Sequence, residues 1–282
     1  MFLPAYNPDM IHTIADKVII ITGASSGIGR ATALALGREG AKLVLVARRE
    51  NLLHEIESEV RSRGGEALPL RLDLREEEQV RRMIHMACER FSRIDVLINN
   101  AGFGFYGSVE NTPAEVVREI FDLNFMAPLL SCQLVIPIMR AQGGGQIIAV
   151  SSVAGKRGLP LSGIYCATKF ALNGLSESLR VELRDSGIDV SIINPAATHT
   201  EFGNSVRHGD VVAKFRPMGH IQSAEEVAAA IVRCIKQPKL EVYPYGISRF
   251  LVWANAVAPS LVDKVMVRFF RQRLDARAGA ST

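Results

Sequence analysis

The sequence predicts an α/β fold, a Rossmann-type doubly wound parallel sheet, on two observations. Short β-branched runs alternate with longer stretches of helical periodicity between residues 17 and 244. The first such run is followed by a glycine-rich turn that opens a helix. With 282 residues, 48% of them hydrophobic, the chain can build one well-packed domain.

The elements follow in order. The run KVIIIT (17–22) reads as a buried parallel strand, because it is short, β-branched and bounded by turn residues. An apolar-periodic helix extends from about Ile28 to Arg38. KLVLVA (42–47) is the second strand and 50–63 the second helix. Further strands are ALPLRLD (67–73), DVLINN (95–100), QIIAVSS (146–152), DVSIIN (189–194) and LEVYP (240–244). Helices are expected over 75–91, 114–140 and 163–184, and from Ala224 onward. A parallel sheet of this kind binds ligands beyond the carboxyl ends of its strands.

Composition narrows the function. The net charge is +4, and Arg268, Arg271, Arg273 and Arg277 crowd the last residues, so there is no basic stripe through the domain and no nucleic-acid partner is expected. The four cysteines, Cys88, Cys132, Cys166 and Cys234, form no CxxC pair, so no metal site is expected. Unpaired thiols suit a reducing compartment, hence a cytoplasmic location. The stretch MFLPAYNPDMIHTIAD lacks the basic start and apolar core of a secretory signal.

TGASSGIG (22–29) lies between the first strand and its helix. Gly23 permits the tight turn, Gly27 lets the backbone approach a pyrophosphate, and Gly29 lets helix and strand pack closely. With Ser25, Ser26 and Ile28, these residues present a helix N-terminus to an anion. The second strand ends in Ala47-Arg48-Arg49, with no carboxylate for the adenosine ribose of NAD. Arg48 offers a planar, permanently charged fork suited to a 2′-phosphate, so NADP is expected over NAD. Asp73, beside Leu74, could accept from an adenine amine or cap the following helix.

TGASSGIG, the NNAG of 99–102, Asn124, Ser152 and Tyr165-Cys166-Ala167-Thr168-Lys169 together resemble the short-chain dehydrogenase/reductase family. The similarity covers about residues 14 to 245, leaving 246–282 as an extension. Asn124 and Ser152 are 28 residues apart, and Ser152 and Tyr165 are 13 apart, as in the family. Lys169 lies one helical turn beyond Tyr165, so both project from one face. A free phenol has a pKa of about 10. An ammonium about 4 Å away, at an effective dielectric near 20, favours the phenolate by roughly 4 kcal/mol, enough to bring it toward neutrality.

The resemblance implies that Tyr165 protonates a substrate oxygen while a nicotinamide delivers hydride, and that Ser152 orients the carbonyl. It also implies that Lys169 holds the nicotinamide ribose and Asn124 positions a water in a proton relay. Asn99, Asn100, Ala101 and Gly102 would line the cofactor, as would Pro195, Thr198 and Thr200. Ala196 stands where the family usually has glycine, which puts the local contacts in question. His199 is expected to be a loop residue.

GFGFYG (102–107), GLPL (158–161) and the loop 196–222 should frame an apolar substrate pocket, with Phe103, Phe105, Tyr106, Leu159, Leu161 and Phe202 as candidates; core or subunit packing is the competing role for several of them. The tail 247–274 shows apolar residues at helical spacing, interrupted at Pro259. Its charge-free run, Phe250 to Val262, is 13 residues, too short to span a bilayer. The stripe can cap the pocket, pack on a partner subunit or lie on a membrane with its arginines toward headgroups. The sequence therefore reads as an NADPH-dependent oxidoreductase acting on a hydrophobic, lipid-like carbonyl or secondary alcohol, assembled as a homodimer or homotetramer. Two alternatives stand beside it: an NAD-dependent alcohol dehydrogenase, and a catalytically silent NADP-binding sensor or scaffold. The intact set of Asn124, Ser152, Tyr165 and Lys169 argues against silence.

Overall fold

The computed structural model describes residues 13–210 and 221–278; for 204, 205, 269 and 271–278 it describes the backbone only. The N-terminal stretch 1–12, the part of the pocket-framing loop at 211–220, and the side chains of Arg271, Arg273 and Arg277 lie outside the described residues.

The chain runs β1 (Val18–Thr22), α1 (Gly27–Gly37), β2 (Lys42–Ala47), α2 (Glu50–Arg61), β3 (Glu66–Arg71), α3 (Glu77–Phe91) and β4 (Val96–Asn99). A short β5 (Phe105–Tyr106) precedes α4 (Ala114–Phe121), a π-helical turn at Asp122–Met126, and α5 (Ala127–Ala141). Then come β6 (Gly145–Val150), a 3-10 turn at Val153–Gly155, α6 (Gly163–Glu182) and β7 (Ile188–Ile193). The segment after it holds β8 (Thr198–His199), a one-turn α7 (Phe202–Ser205), β9 (Arg207–His208) and β10 (Gln222–Ser223). The chain continues through α8 (Ala224–Lys236), β11 (Glu241–Val242), α9 (Ser248–Val257) and α10 (Pro259–Ala278).

Seven strands form one parallel sheet in the order β11-β7-β6-β4-β1-β2-β3. The period-2 alternation of side chains divides its core. Ile19, Ile21, Leu43 and Leu45 face α1, α2 and α8, while Ile20, Val44, Leu97 and Ile147 face α3 and α5. Strand order reverses between β1 and β4, which opens a crevice at their carboxyl ends. The opposite end is closed by Asp95. Its buried carboxylate accepts from the Val18 N–H at 2.9 Å and from Arg93 at 2.7 and 3.0 Å.

Two helices differ from their sequence-based outlines. The stretch expected as one helix over 114–140 is broken by the π turn, closed by an Ala127 N–H bond to the Asp122 carbonyl. Its second half is core: Ala127, Cys132, Val135 and Met139 are buried against α3 and the sheet, although Ala114–Ala141 has the length and apolarity of a membrane span. In the tail, Pro259 does not merely interrupt a helix; it begins α10, where its missing N–H costs nothing.

Candidate active site

The phosphate turn is built from backbone. Gly23 and Gly27 have φ of +67° and +52°, a region L side chains rarely adopt. A Cβ on Gly29 would stand 2.2 Å from the Gly23 carbonyl oxygen, so helix and turn meet at a distance only glycine allows. Ser26 takes the N-cap position of α1 without a side-chain cap bond, leaving the first-turn N–H groups to an anion. These features fit a dinucleotide pyrophosphate.

Thr22, which sequence reasoning passed over, joins β1 to β4. Its Oγ1 donates to the Ile98 carbonyl at 3.2 Å and accepts from the N–H groups of Asn100 and Ala101, each at 2.9 Å. The Asn100 amide donates back to the Thr22 carbonyl at 2.8 Å and the Gly23 carbonyl at 3.3 Å. Asn100 thus braces the glycine turn with its side chain. Asn99 points the other way, toward Cys132 under α5. Gly102 leaves no room for a Cβ, which would lie 2.9 Å from Asn124 Oδ1.

Arg48 is exposed and, among the described residues, has neither a hydrogen-bond nor an ion-pair partner. Arg49 donates to Ser25 Oγ at 3.2 and 3.3 Å and pairs with Glu201 at 2.9 Å. Asp73 is clasped by Arg75 through bonds of 2.6 to 3.1 Å, which hold its carboxyl below the usual range against the effect of burial. It is not the cap of α3, which starts at Glu77 with Glu76 in the N-cap position. Leu74, next to Asp73, is buried in the α3 face of the core.

At the end of β6, Ser152 caps the 3-10 turn, its Oγ accepting from the Ala154 N–H at 3.1 Å, and its hydroxyl acts on the Tyr165 phenol by favouring the phenolate. Tyr165 and Lys169 share one face of α6. Lys169 is buried; its Nζ donates to the Val150 carbonyl at 2.9 Å and stands 5.9 Å from the centroid of the Tyr165 ring. Burial pushes the Lys169 pKa down to about 8. Burial also pushes the Tyr165 phenol above its ordinary value, and the Ser152 hydroxyl offsets only part of that rise. The expected fall of the phenol toward neutrality is therefore not what this environment produces. Desolvation of the phenolate dominates, and the phenol stays protonated at neutral pH.

Asn124 sits in the π turn. Its Oδ1 accepts from the Phe103 N–H at 3.1 Å; its Nδ2 donates to the Phe103 carbonyl at 3.0 Å and to Thr168 Oγ1 at 3.1 Å. Both amide hydrogens are spent on protein. A water could be held by its remaining Oδ1 lone pair or by a backbone carbonyl that the wider i→i+5 turn leaves outside the helical ladder.

The segment after β7 lies across the site. The Pro195 carbonyl accepts from the Val153 N–H at 3.0 Å, and Thr198 Oγ1 donates to the Ala196 carbonyl at 2.9 Å. Ala196 is held by Gln222, whose Oε1 accepts its N–H at 3.1 Å, and it has no positive φ, so the absent glycine is not needed there. Thr200 packs on Gly27, close enough to meet a Cβ at 3.0 Å. His199, expected in a loop, instead ends β8, where it pairs with Ser223 of β10 and stays exposed. Phe202 lies over Tyr165, with ring centroids 5.8 Å apart.

Phe103 and Phe105 are buried with Ile120 in a small cluster that packs on Ile164 and Tyr165. They support the phenol from behind rather than lining open space. Tyr106 is buried too, whereas Leu159 is half-buried. Leu161 adopts φ +61°, a costly conformation for a branched residue at the rim of the site.

This arrangement, a glycine turn at the sheet's crevice facing a hydroxyl, phenol and ammonium from β6 and α6, defines a nicotinamide-dependent oxidoreductase. Known proteins agree. A family model for short chain dehydrogenases matches residues 17–210. The uncharacterized oxidoreductase YxnA of Bacillus subtilis is 34% identical over 262 residues, covering 91% of this chain and 73% of that protein. The ketoacyl reductase HetN of a Nostoc species is 29% identical over 259 residues, covering 90% and 89%. Among solved structures, a short chain dehydrogenase/reductase from Burkholderia phymatum in complex with NAD superimposes with a TM-score of 0.81 at 28% identity, covering 89% of this chain and 96% of that one. L-sorbose reductase from Gluconobacter frateurii, complexed with NADPH and L-sorbose, gives a TM-score of 0.73 at 30% identity, covering 83% and 96%. The chain belongs to the short-chain dehydrogenase/reductase family and is an NAD(P)-dependent oxidoreductase.

Proposed function

We propose that this enzyme is an NADPH-dependent reductase of hydrophobic ketones or aldehydes, with Tyr165 as the acid. The observation that carries the reading is the placement of Tyr165 on one face of α6 with Lys169, whose buried Nζ is anchored to the Val150 carbonyl and stands 5.9 Å from the centroid of the phenol ring, a proton donor backed by a cation as reduction requires. When bound, the dinucleotide supplies hydride to the carbonyl carbon. Ser152 orients the carbonyl oxygen, and Tyr165 donates its proton to that oxygen as charge develops there. Lys169, charged below about pH 8, stabilises the resulting phenolate and would hold the nicotinamide ribose. Asn124 fixes the backbone of Phe103 and would help hold a relay water.

Gly23, Ser25, Ser26, Gly27, Ile28 and Gly29 would hold the pyrophosphate, and Arg48 the 2′-phosphate, for which its fork stands exposed. Asp73 and Leu74 would flank the adenine, Ala101 and Gly102 would line the nicotinamide ribose, and Pro195, Thr198 and Thr200 would hold the carboxamide. Phe202 and Leu159 line the substrate side. Phe170 and Val181 lie exposed on one face of α6, which supports a homodimer or homotetramer. Four free cysteines support a cytoplasmic setting. The test is a panel of carbonyl substrates followed by NADPH absorbance, with both cofactors titrated against wild type and Arg48→Ala. Arg48→Ala should weaken NADPH about tenfold and leave NADH unchanged. Equal wild-type affinities for the two cofactors would overturn the cofactor assignment, and failure to oxidise NADPH with any carbonyl would overturn the reaction.

A further inference from the structure

We infer that α9 and the first turns of α10 form a docking element for an anionic phospholipid surface. The helix α9 is apolar on the side where a soluble protein needs polarity. Ser248, Val252 and Asn255 share the face turned to the domain, and Asn255 accepts from Arg157 at 2.8 Å. Phe250, Trp253 and Val257 fall on the opposite face by the 3.6-residue repeat, and they are 72, 65 and 65% exposed. Leu261 and Val265 continue the surface on α10 at 62 and 54%. Eight of the fifteen large apolar side chains exposed among the described residues lie between Ile247 and Val267, so this is one patch and not scatter.

Charge identifies the occupant. Residues 246–282 contain six Lys and Arg against two Asp, a net +4 that equals the whole chain's excess; residues 1–245 are formally neutral. Asp263 is neutralised in place by an ion pair with Arg157. Arg249, Lys264 and Arg268 are exposed and make no ion pair among the described residues. Apolar side chains ringed by unpaired cations match acyl chains beneath anionic headgroups. Two copies meeting through this face would instead bring like charges together. An exposed tryptophan also belongs at a membrane interface.

Geometry sets how the element sits. With ten residues, α9 is about 15 Å long, half a hydrocarbon core. The axes of α9 and α10 bend by 120°, so together they make no straight span. Arg157 and Lys156 tie both helices to the turn that begins at Ser152, since the Lys156 carbonyl accepts from Asn255 at 3.5 Å. The bilayer would therefore lie beside the site, within reach of an apolar substrate dissolved in it. That last clause rests on the proposed reductase reading; the docking itself does not.

Trp253 is the chain's only tryptophan and reports directly on this surface. The full-length protein is mixed with vesicles of phosphatidylcholine alone or with added phosphatidylglycerol. Anionic vesicles should shift Trp253 emission to the blue, bring it within reach of brominated acyl chains and sediment the protein. Each cation near such a surface multiplies binding about fivefold, so anionic vesicles should bind roughly a hundredfold better. Phe250→Ser, an exposed position, should weaken sedimentation about tenfold, and Arg249→Gln with Lys264→Gln should remove most of the lipid preference. Turnover of a soluble carbonyl without vesicles is read separately, so a failed reductase and a failed docking element are told apart. The docking proposal is overturned if Trp253 stays in water with anionic vesicles. It is equally overturned if emission shifts with protein concentration and no lipid, which would mean that a second copy covers the face.

Discussion

The phosphate turn and the segment from Pro195 to Asp210 close on the same site from opposite sides, and they are built by opposite means. The turn is shaped by backbone, its glycines in contact with each other and with the carboxyl ends of β1 and β4, and its carbonyls braced by the Asn100 amide. The segment is made of side-chain clasps: Glu201 with Arg49, Arg207 with Glu119, Phe202 on Tyr165, and Asp210 with Ser108 and Asn111. Most of those clasps are exposed. A surface built of exposed pairs can be undone one contact at a time; a surface built of backbone cannot. Entry and exit of ligands are accordingly expected on the clasped side.

Substitutions can break or sharpen this contrast. Tyr165→Phe, beneath the clasped segment, should have the largest effect. Turnover should fall by about 10²- to 10⁴-fold, while NADPH binding, measured by titration, stays within about twofold. Parallel loss of both would mean that the two sides are one unit. Next is Lys169→Met. Holding a buried ammonium with a pKa near 8 against an ordinary 10.5 costs the cofactor-free fold roughly 3 kcal/mol at neutral pH. The folded state binds fewer protons at Lys169 than the unfolded one between those values, so the contribution of Lys169 to wild-type stability should rise with pH from about 8 to 10.5. Denaturant midpoints across that range should climb for the wild type relative to the variant, since the buried thiols and phenols whose burial raises their pKa are common to both. The variant should also be the more stable at pH 7, yet poor in turnover.

Gly29→Ala should cost about 1–3 kcal/mol, because the new methyl meets a backbone oxygen that cannot swing away. Its cofactor affinity should fall with the fold intact at low temperature, as circular dichroism can verify. Glu201→Gln should be the mildest, below about 1 kcal/mol, since both partners of its ion pair are about half exposed. If Glu201→Gln destabilised the protein as much as Gly29→Ala, the contrast would collapse.

The backbone-built side was also the side legible in sequence. Glycine at a turn announces itself, because no other residue can take φ of +67° cheaply, and the β-branched runs of β1, β2 and β4 declared the sheet. Tyr165 and Lys169 were visible for the same kind of reason, a fixed spacing on one helix. What stayed hidden were contacts between distant residues. Arg49 and Glu201 are 152 positions apart, and Gln222 reaches back 26 to Ala196; neither pair has local periodicity to betray it. Thr22 ends a strand, and its bonds to Asn100 and Ala101 appear only once β4 lies beside β1. The raised pKa of the phenol escaped for a related reason. A pair of side chains on one helix can be read from spacing, but the desolvation around them is set by Phe202 and the cluster behind.

The π turn at Asp122–Met126 has a consequence in residue counting. It holds one residue more than an α-helical turn would, as if an insertion had been absorbed without a loop. Removing any one residue there would allow a continuous α-helix, locally the more regular structure. It would also turn all of α5 by about 100° relative to α4. Cys132, Val135 and Met139, now against α3 and the sheet, would swing toward solvent, and polar positions would swing in. The reading frame of the core on this face is therefore set by that single extra residue, and a one-residue deletion should be harder to tolerate there than in the exposed loop at Gly143.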